Sequence, residues 1–462
     1  MTDTPPRSAL SRRSLLSAAA VLPLAAQGLG LGRAVAQSAT PAAGATMPPI
    51  LFVHGNGDTA ALWLTQVWRM ESNGVPRAGM AAINFTDPLA RTDDAVAKPN
   101  TSSTADQRRE LGEAVAALKA STGAAKVVLV GSSRGGNAIR SYLKAGATDI
   151  SHAVLCGTPN HGVYAWDEGL GNEFNGRCPF LSGLNVGESE VPDGVAFLTL
   201  RSDGLDKYAQ PDGRFVGKPG TPTNVTSEGP ALKGATNLVL GALDHRETAF
   251  HPRAFREIFK FIAGREPSRL DIAPEARVQI GGLVTGTPGG VPTNRPVAGA
   301  TVEVYRVDAA RGERIGDAVY TVTTAVDGKW GPAMVDPTWP LEIVLAQPNA
   351  PTTHIYRSPF PRSSEIVHLR AGRPLDPAKD SGCTVLLSRP RGYFGLPRDV
   401  VLIDGTEPAD VKTGIPTDSV TTLRLPASEA GRAVATLFND ERIVARAWPA
   451  SENRIAIAEL TY

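Results

Sequence analysis

Four apolar residues, Val127-Val128-Leu129-Val130, run directly into Gly131-Ser132-Ser133-Arg134-Gly135, and a helix-like stretch follows from Asn137 to Lys144. No other segment constrains the fold as tightly as this strand, sharp turn and helix. The G-x-S-x-G form has a steric cause: the turn strains the backbone of the serine, and the flanking glycines let strand and helix pass closely. Ser133 is expected above a sheet, its Oγ free to attack a carbonyl.

The neighbouring segments repeat the alternation. Ile50 to Val53, Met80 to Phe85, Val127 to Val130, Ala153 to Leu155, Ala196 to Leu200 and Leu238 to Leu240 are short apolar runs of strand type. Between them, Ala60 to Met70 and Ala105 to Ser121 have helical character. Leu111, Val115 and Leu118 recur at helical spacing, and Gly123 ends that helix. Pro252 to Ala263 closes the series with the apolar face Phe255, Ile258, Phe259 and Ile262. Such alternation predicts a mostly parallel sheet flanked by helices.

The texture changes after Gly264. Arg265 to Ala276 carries Pro267, Pro274 and mixed charge, and has the character of a linker. Beyond it come short β-type runs broken by turns such as Thr287-Pro288-Gly289-Gly290 and Asp327-Gly328. An all-β sandwich or barrel is expected from residue 278 to 372, and similar β texture from 373 to 462. The sequence leaves open whether these are two modules or one larger barrel.

Residues 1–36 stand apart from the fold. Ser11-Arg12-Arg13-Ser14-Leu15-Leu16 is a twin-arginine pattern, a modestly apolar stretch follows, and Ala34-Val35-Ala36 offers a small-x-small cleavage site. Export through the twin-arginine route to the periplasm or beyond is expected, with a mature chain from Gln37 and a catalytic domain over 37–264. In an oxidising compartment Cys156 and Cys178 would close a loop of about twenty residues, worth ~3 kcal/mol on a chain-entropy view. Formal net charge is +1, from 47 basic and 46 acidic residues, which gives no reason to expect nucleic acid as a partner.

A serine hydroxyl is a weak nucleophile near neutrality and needs a histidine base oriented by a carboxylate. On a sheet of this kind the three occur in the order serine, acid, histidine. Of seven histidines, only His245 and His251 lie near the last strand before the linker, and His245 follows that strand more closely. Asp203 and Asp206 both stand just past the strand that ends at Leu200. The oxyanion needs two preorganised N–H donors. The backbone of Arg134 and that of Asn56, in the loop His54-Gly55-Asn56-Gly57, suit this role. Trp63, Trp68 and Trp166 are expected in the core more than in an acyl pocket. His161 and Asp149 fall short of a metal site, and no metal is expected.

Phe52-Val53-His54-Gly55-Asn56-Gly57, taken with the turn Gly131 to Gly136, resembles the α/β-hydrolase lipases and esterases of the small bacterial (class 2) type. Thr158-Pro159-Asn160-His161-Gly162 is similar to the loop after the next strand in that family. The resemblance implies ester hydrolysis through an acyl-enzyme and without a cofactor, with Ser133, His245 and an aspartate as triad. It ranks Asp206 ahead of Asp203, since the loop ending in Gln210-Pro211 resembles the one that follows such acids in lipases. Arg134 departs from the family, which often has Met or Gln there; only its N–H is needed. No lid is evident, although Gly162 to Val195, with Trp166, Phe174 and Phe180, is long enough to cover a site. The layout also resembles an archaeal lipase with an appended β-barrel, and Gly281 to Gly331 is similar to the carboxypeptidase regulatory-like β-sandwich. Small-molecule or lipid esters are the implied partners, with lipid-interface or polymer contact through the β region. Rival readings are a polyester depolymerase or amidase on the same triad, and a binding protein that retained the scaffold.

Overall fold

The computed structural model describes residues 47–462; the export signal expected at residues 1–36 lies outside them. In the first half the strands are β1 (Ile50–Val53), β2 (Met80–Ala82), β3 (Val127–Ser132), β4 (Ile150–Cys156), β5 (Ala196–Arg201) and β6 (Thr236–Val239). The helices are α1 (Leu64–Ser72), α2 (Thr104–Thr122), α3 (Arg134–Lys144), α4 (Pro179–Leu184), α5 (Glu247–Phe250) and α6 (Pro252–Ala263). All six strands pair in parallel, in the order β2-β1-β3-β4-β5-β6.

Strands β1 and β3 are buried along their whole length. That accounts for their unbroken apolar sequences, because a strand covered on both faces has no polar side. Ile50, Phe52, Val128 and Val130 face α1, α5 and α6, whereas Leu51, Val53 and Leu129 face α2 and α3. Helix α6 buries Phe255, Ile258, Phe259 and Ile262, as its spacing predicts, at roughly 1.5–3 kcal/mol for each side chain. It stops at Gly264, whose φ of 67° is left-handed and lets its N–H reach the Lys260 carbonyl.

One expectation needs correction here. β2 ends at Ala82, not at Phe85, because the Asn84 side chain turns away to accept from the Ala60 N–H. The segment after Gly264, expected as a linker, is hydrogen-bonded to α1. Asn73 Nδ2 donates to the Arg269 carbonyl and Arg69 Nε to the Leu270 carbonyl, binding it to α1.

The second half is a mixed β region. Its strands are β7 (Val278–Thr285), β8 (Thr301–Arg306), β9 (Tyr320–Thr323), β10 (Lys329–Val335), β11 (Leu341–Ala346), β12 (Thr352–Arg357) and β13 (Leu369–Arg370). They continue as β14 (Cys383–Ser388), β15 (Val401–Ile403), β16 (Val420–Leu425), β17 (Ala433–Phe438), β18 (Glu441–Arg446) and β19 (Arg454–Glu459). A seven-stranded sheet, β16-β14-β19-β12-β11-β8-β9, lies between two three-stranded ones, β10-β7-β13 and β15-β17-β18, in the distribution of core residues. The large sheet crosses the boundary expected near residue 372: β12 pairs with β19 in parallel, and β19 with β14. The two β stretches therefore share one sheet.

The β region also shares a core with the parallel-sheet half. Leu64 and Trp68 of α1 join Val278, Ile280, Ile355 and Phe360 in a single apolar cluster. Trp68 Nε1 donates to the Ser363 carbonyl at 2.9 Å. Among the described residues no helix is long and apolar enough to cross a membrane.

Candidate active site

Ser133 occupies the one-residue turn between β3 and α3 with φ 52° and ψ −122°. A non-glycine residue held in this region carries strain on the order of 1–3 kcal/mol and needs surroundings that enforce it. The Ser133 N–H donates to the Cys156 carbonyl at 2.8 Å, and the Gly136 N–H donates to the Ser133 carbonyl at 3.0 Å. A Cβ at Gly135 would lie 2.5 Å from the His54 carbonyl oxygen, and one at Gly131 would lie 2.6 Å from Ile139 Cδ1. The glycines are thus required for the close passage that the motif implies.

His245 stands in the loop after β6, buried, with Nδ1 2.8 Å from Asp206 Oδ2. Asp206 lies in the loop after β5. Its second oxygen accepts from the Tyr208 N–H at 2.8 Å, and Gln210 Nε2 donates to the carbonyls of Gly204 and Asp206. The Tyr208 ring meets His245 edge-on, with centroids 4.7 Å apart.

The runner-up residues are engaged elsewhere. Asp203 accepts from the N–H groups of Leu205 and Ala242, pinning the β5 loop to the β6 loop. Desolvation alone would raise its carboxyl, but these hydrogen bonds outweigh that and hold it below the usual range. His251 caps α6: its Nδ1 accepts from the Arg253 N–H at 3.1 Å, and burial lowers it to about 4, leaving it neutral.

The loop after β1 is fixed by a buried histidine. His54 Nδ1 lies 2.9 Å from the Gly55 carbonyl, and Nε2 accepts from the Phe85 N–H, which assigns the proton to Nδ1. Burial pushes His54 down to about 4 and keeps it neutral. Asn56 Oδ1 accepts from the Ala90 N–H at 2.8 Å. A cavity of about 500 Å³ joins Asn56, Ser133 and His245, walled by Tyr164, Trp166, Phe174, Tyr208 and Tyr393. Asp206 sits behind His245, and the Arg134 backbone opens α3 beside Ser133.

Residues 276–374 match the family model described as the lipase C-terminal domain. No curated protein matches the chain. Among solved structures, the product of gene lin2722 from Listeria innocua is 15% identical, covering 48% of this chain and 97% of its own, with a TM-score of 0.33. Lipase B from Aspergillus fumigatus is 15% identical, covering 49% of this chain and 55% of its own, also at 0.33. Phospholipase PlaB from Legionella pneumophila, solved with thio-NAD, is 14% identical, covering 71% and 94%, at 0.30. The parallel sheet order, its two helical layers and the turn at Ser133 decide the architecture. This is an α/β-hydrolase-type core, a parallel sheet between two helical layers, followed by a mixed β region that carries the match to the lipase C-terminal domain.

Within the hydrolase fold, sequence reasoning missed the partner of Arg134. The Arg134 guanidinium is fully buried and forms a two-pronged pair with Glu173, its Nη2 2.5 Å from Oε1 and its Nε 2.9 Å from Oε2. It also donates to Ser102 Oγ and to the carbonyls of Ser102 and Pro88. Burial raises the Glu173 carboxyl even against the pull of Arg134. The signal was available: an arginine in the first turn of a buried helix must find an anion, and Glu173 lies in the long segment Gly162 to Val195, which is long enough to cover a site. That segment does wall the cavity, through Tyr164, Trp166 and Phe174. Trp63 and Trp68 are core residues, as expected, whereas Trp166 faces the cavity.

The disulfide expected between Cys156 and Cys178 is not formed; all three cysteines are free and buried. Cys156 ends β4 inside the main core, whereas Cys178 belongs to a separate small cluster and caps α4, its Sγ accepting from the Leu181 N–H. Burial pushes the Cys156 thiol up, so it is inert as a thiolate. Among the described residues no group of His, Cys, Asp and Glu is arranged to hold a metal.

Proposed function

We propose that this chain is a serine carboxylic-ester hydrolase working through Ser133, His245 and Asp206. The observation that carries the reading is the 2.8 Å contact between His245 Nδ1 and Asp206 Oδ2, at a cavity that also holds Ser133. Ser133 Oγ attacks the ester carbonyl while His245 Nε2 takes its proton. Asp206 accepts the Nδ1–H bond and stabilises the imidazolium. The oxyanion receives hydrogen bonds from the N–H groups of Asn56 and Arg134; losing one such donor costs about 3 kcal/mol of transition-state stabilisation. Collapse expels the alcohol, which takes the proton from His245 and leaves an acyl-enzyme on Ser133. Water then attacks with His245 as base, releasing the acid and restoring the serine.

Aromatic walls from Tyr164, Trp166, Phe174 and Tyr208 support an ester with an apolar acyl or alcohol group, small-molecule or lipid. We infer further that the enzyme is close to the class 2 bacterial lipases, that residues 1–36 direct twin-arginine export, and that 37–264 is the catalytic domain. Residues 278–372 then form a carboxypeptidase regulatory-like sandwich, with 373–462 completing its large sheet. Hydrolysis of p-nitrophenyl esters over a series of acyl lengths tests the activity. Turnover with a defined length optimum is expected; no turnover of any ester, with amides cleaved instead, would move the reading to an amidase.

A further inference from the structure

The loop that carries His245 is closed upon itself and gripped from outside. Asp244 Oδ1 accepts from the N–H groups of Arg246 and Glu247, and Glu247 Oε2 accepts from the Asp244 N–H. These bonds wrap the backbone around His245 and leave two buried carboxylates flanking it. Their remaining oxygens are received by a segment 142 or more residues later in the chain. Arg389 Nη1 lies 2.8 Å from Asp244 Oδ2, and its Nη2 lies 2.6 Å from Glu247 Oε1. Arg398 Nη1 is 2.8 Å from Glu247 Oε2, and the Tyr393 N–H donates to Asp244 Oδ2 at 2.8 Å.

Charge explains why two arginines are present. Asp244 is fully buried beside Glu247, and its desolvation favours the neutral acid. Two cations from the β region lie against the two carboxylates and hold the loop closed. The same segment reaches the loop of the acid as well: Lys207, next to Asp206, donates to the Thr417 carbonyl and sits 3.7 Å from the centre of the Tyr393 ring. Tyr393 itself walls the substrate cavity beside Tyr208. Asn294, also from the β region, donates to the carbonyls of Asp58 and Phe85 and so holds the loop of Asn56.

We propose that the C-terminal β region is part of the active site: Tyr393 contacts the apolar group of the ester, and Arg389 and Arg398 are positioning residues that hold His245 toward Ser133. This rests on the triad reading above, and it gives the β region a role in the reaction itself. A displacement of the imidazole by about 1 Å is enough to lower the rate on the order of 10²-fold.

The test uses the full-length chain with p-nitrophenyl acetate and octanoate, in variants whose unfolding midpoint stays above the assay temperature. Arg389→Met and Arg398→Met are expected to lower kcat on the order of 10²-fold with KM little changed, and Arg389→Lys to recover part of it. Tyr393→Ala is expected to change the octanoate-to-acetate ratio of kcat/KM by about 10-fold, with Tyr393→Phe near wild type. If the wild type is active and Ser133→Ala inactive, yet folded Arg398→Met, Arg389→Lys and Tyr393→Ala keep kcat, KM and acyl ranking, the inference is overturned while the triad stands. Loss of kcat in proportion to loss of folded protein also overturns it, leaving the arginines a structural role alone. An inactive wild type would instead sink the triad reading.

Discussion

Asp206 turns its Oδ2 to the His245 ring at 2.8 Å, whereas Asp203, three positions earlier in the same loop, binds only backbone N–H groups and a neighbouring hydroxyl. One loop thus holds two carboxylates with separate work. Asp206→Asn should lower kcat/KM on the order of 10⁴-fold by stabilising the wrong imidazole tautomer. Asp203→Asn should leave kcat/KM near wild type and cost about 1–2 kcal/mol of stability through weakened hydrogen bonds to Leu205 and Ala242. Steady-state kinetics beside urea unfolding separates the two; the opposite pattern would make Asp203 the acid.

Arg134 and Glu173 form a buried pair that links the turn at Ser133 to the wall of the cavity. Removing one partner strands a charge away from water, at roughly 3–5 kcal/mol, whereas removing both is far milder. Arg134→Met should therefore be strongly destabilising, and Arg134→Met with Glu173→Gln should regain most of the loss. A double-mutant cycle on urea unfolding measures this, and additive single costs would refute the coupling.

What was legible in the sequence was local. The strand, turn and helix from Val127 to Lys144 are written in consecutive residues, and Phe255, Ile258, Phe259 and Ile262 mark a buried face by spacing alone. His245 and His251 could be compared in sequence because each lies near its own element boundary, and the structure sets the first beside Asp206 and the second as the cap of α6. What could not be read depends on distant pairing. β12 joins β19 about a hundred residues away, so the split expected near residue 372 could not be checked against any local pattern. No local pattern marks Arg389, which folding sets against Asp244. Cys156 and Cys178 were close in sequence, but strand β4 buries one while helix α4 takes the other as its cap.

Three histidines, His54 buried and His251 and His368 half-buried, make stability depend on pH. His54 and His251 are lowered to about 4 and His368 to about 3, burial being the main cause in each. The unfolded chain protonates them near 6.5 while the folded chain does not, so the unfolded state binds more protons below that pH. Stability should be level above pH 6.5, fall as pH drops toward 4, and flatten below the folded values. For fully buried His54 the upper value is about 3 kcal/mol. Urea unfolding from pH 7 to 5 should show a shallower slope in His54→Asn than in wild type; equal slopes would contradict the assignment.

Trp68 anchors the β region by entering its core from α1. Trp68→Ala should cost about 3–5 kcal/mol, and a chain ending before β7 should expose Leu64 and Trp68 and become insoluble. Thermal unfolding of the full-length variant and expression of the shortened chain measure the two effects. A soluble, active shortened chain would show that the halves are independent.

Labelling with a fluorophosphonate, followed by peptide mass spectrometry, tests the nucleophile most directly. One phosphonyl group per chain is expected, on the peptide containing Ser133, with none in folded Ser133→Ala and slow labelling in folded Asp206→Asn. A wild type that stays unlabelled, or a label on another serine that persists in Ser133→Ala, would contradict the assignment of Ser133 as the attacking residue.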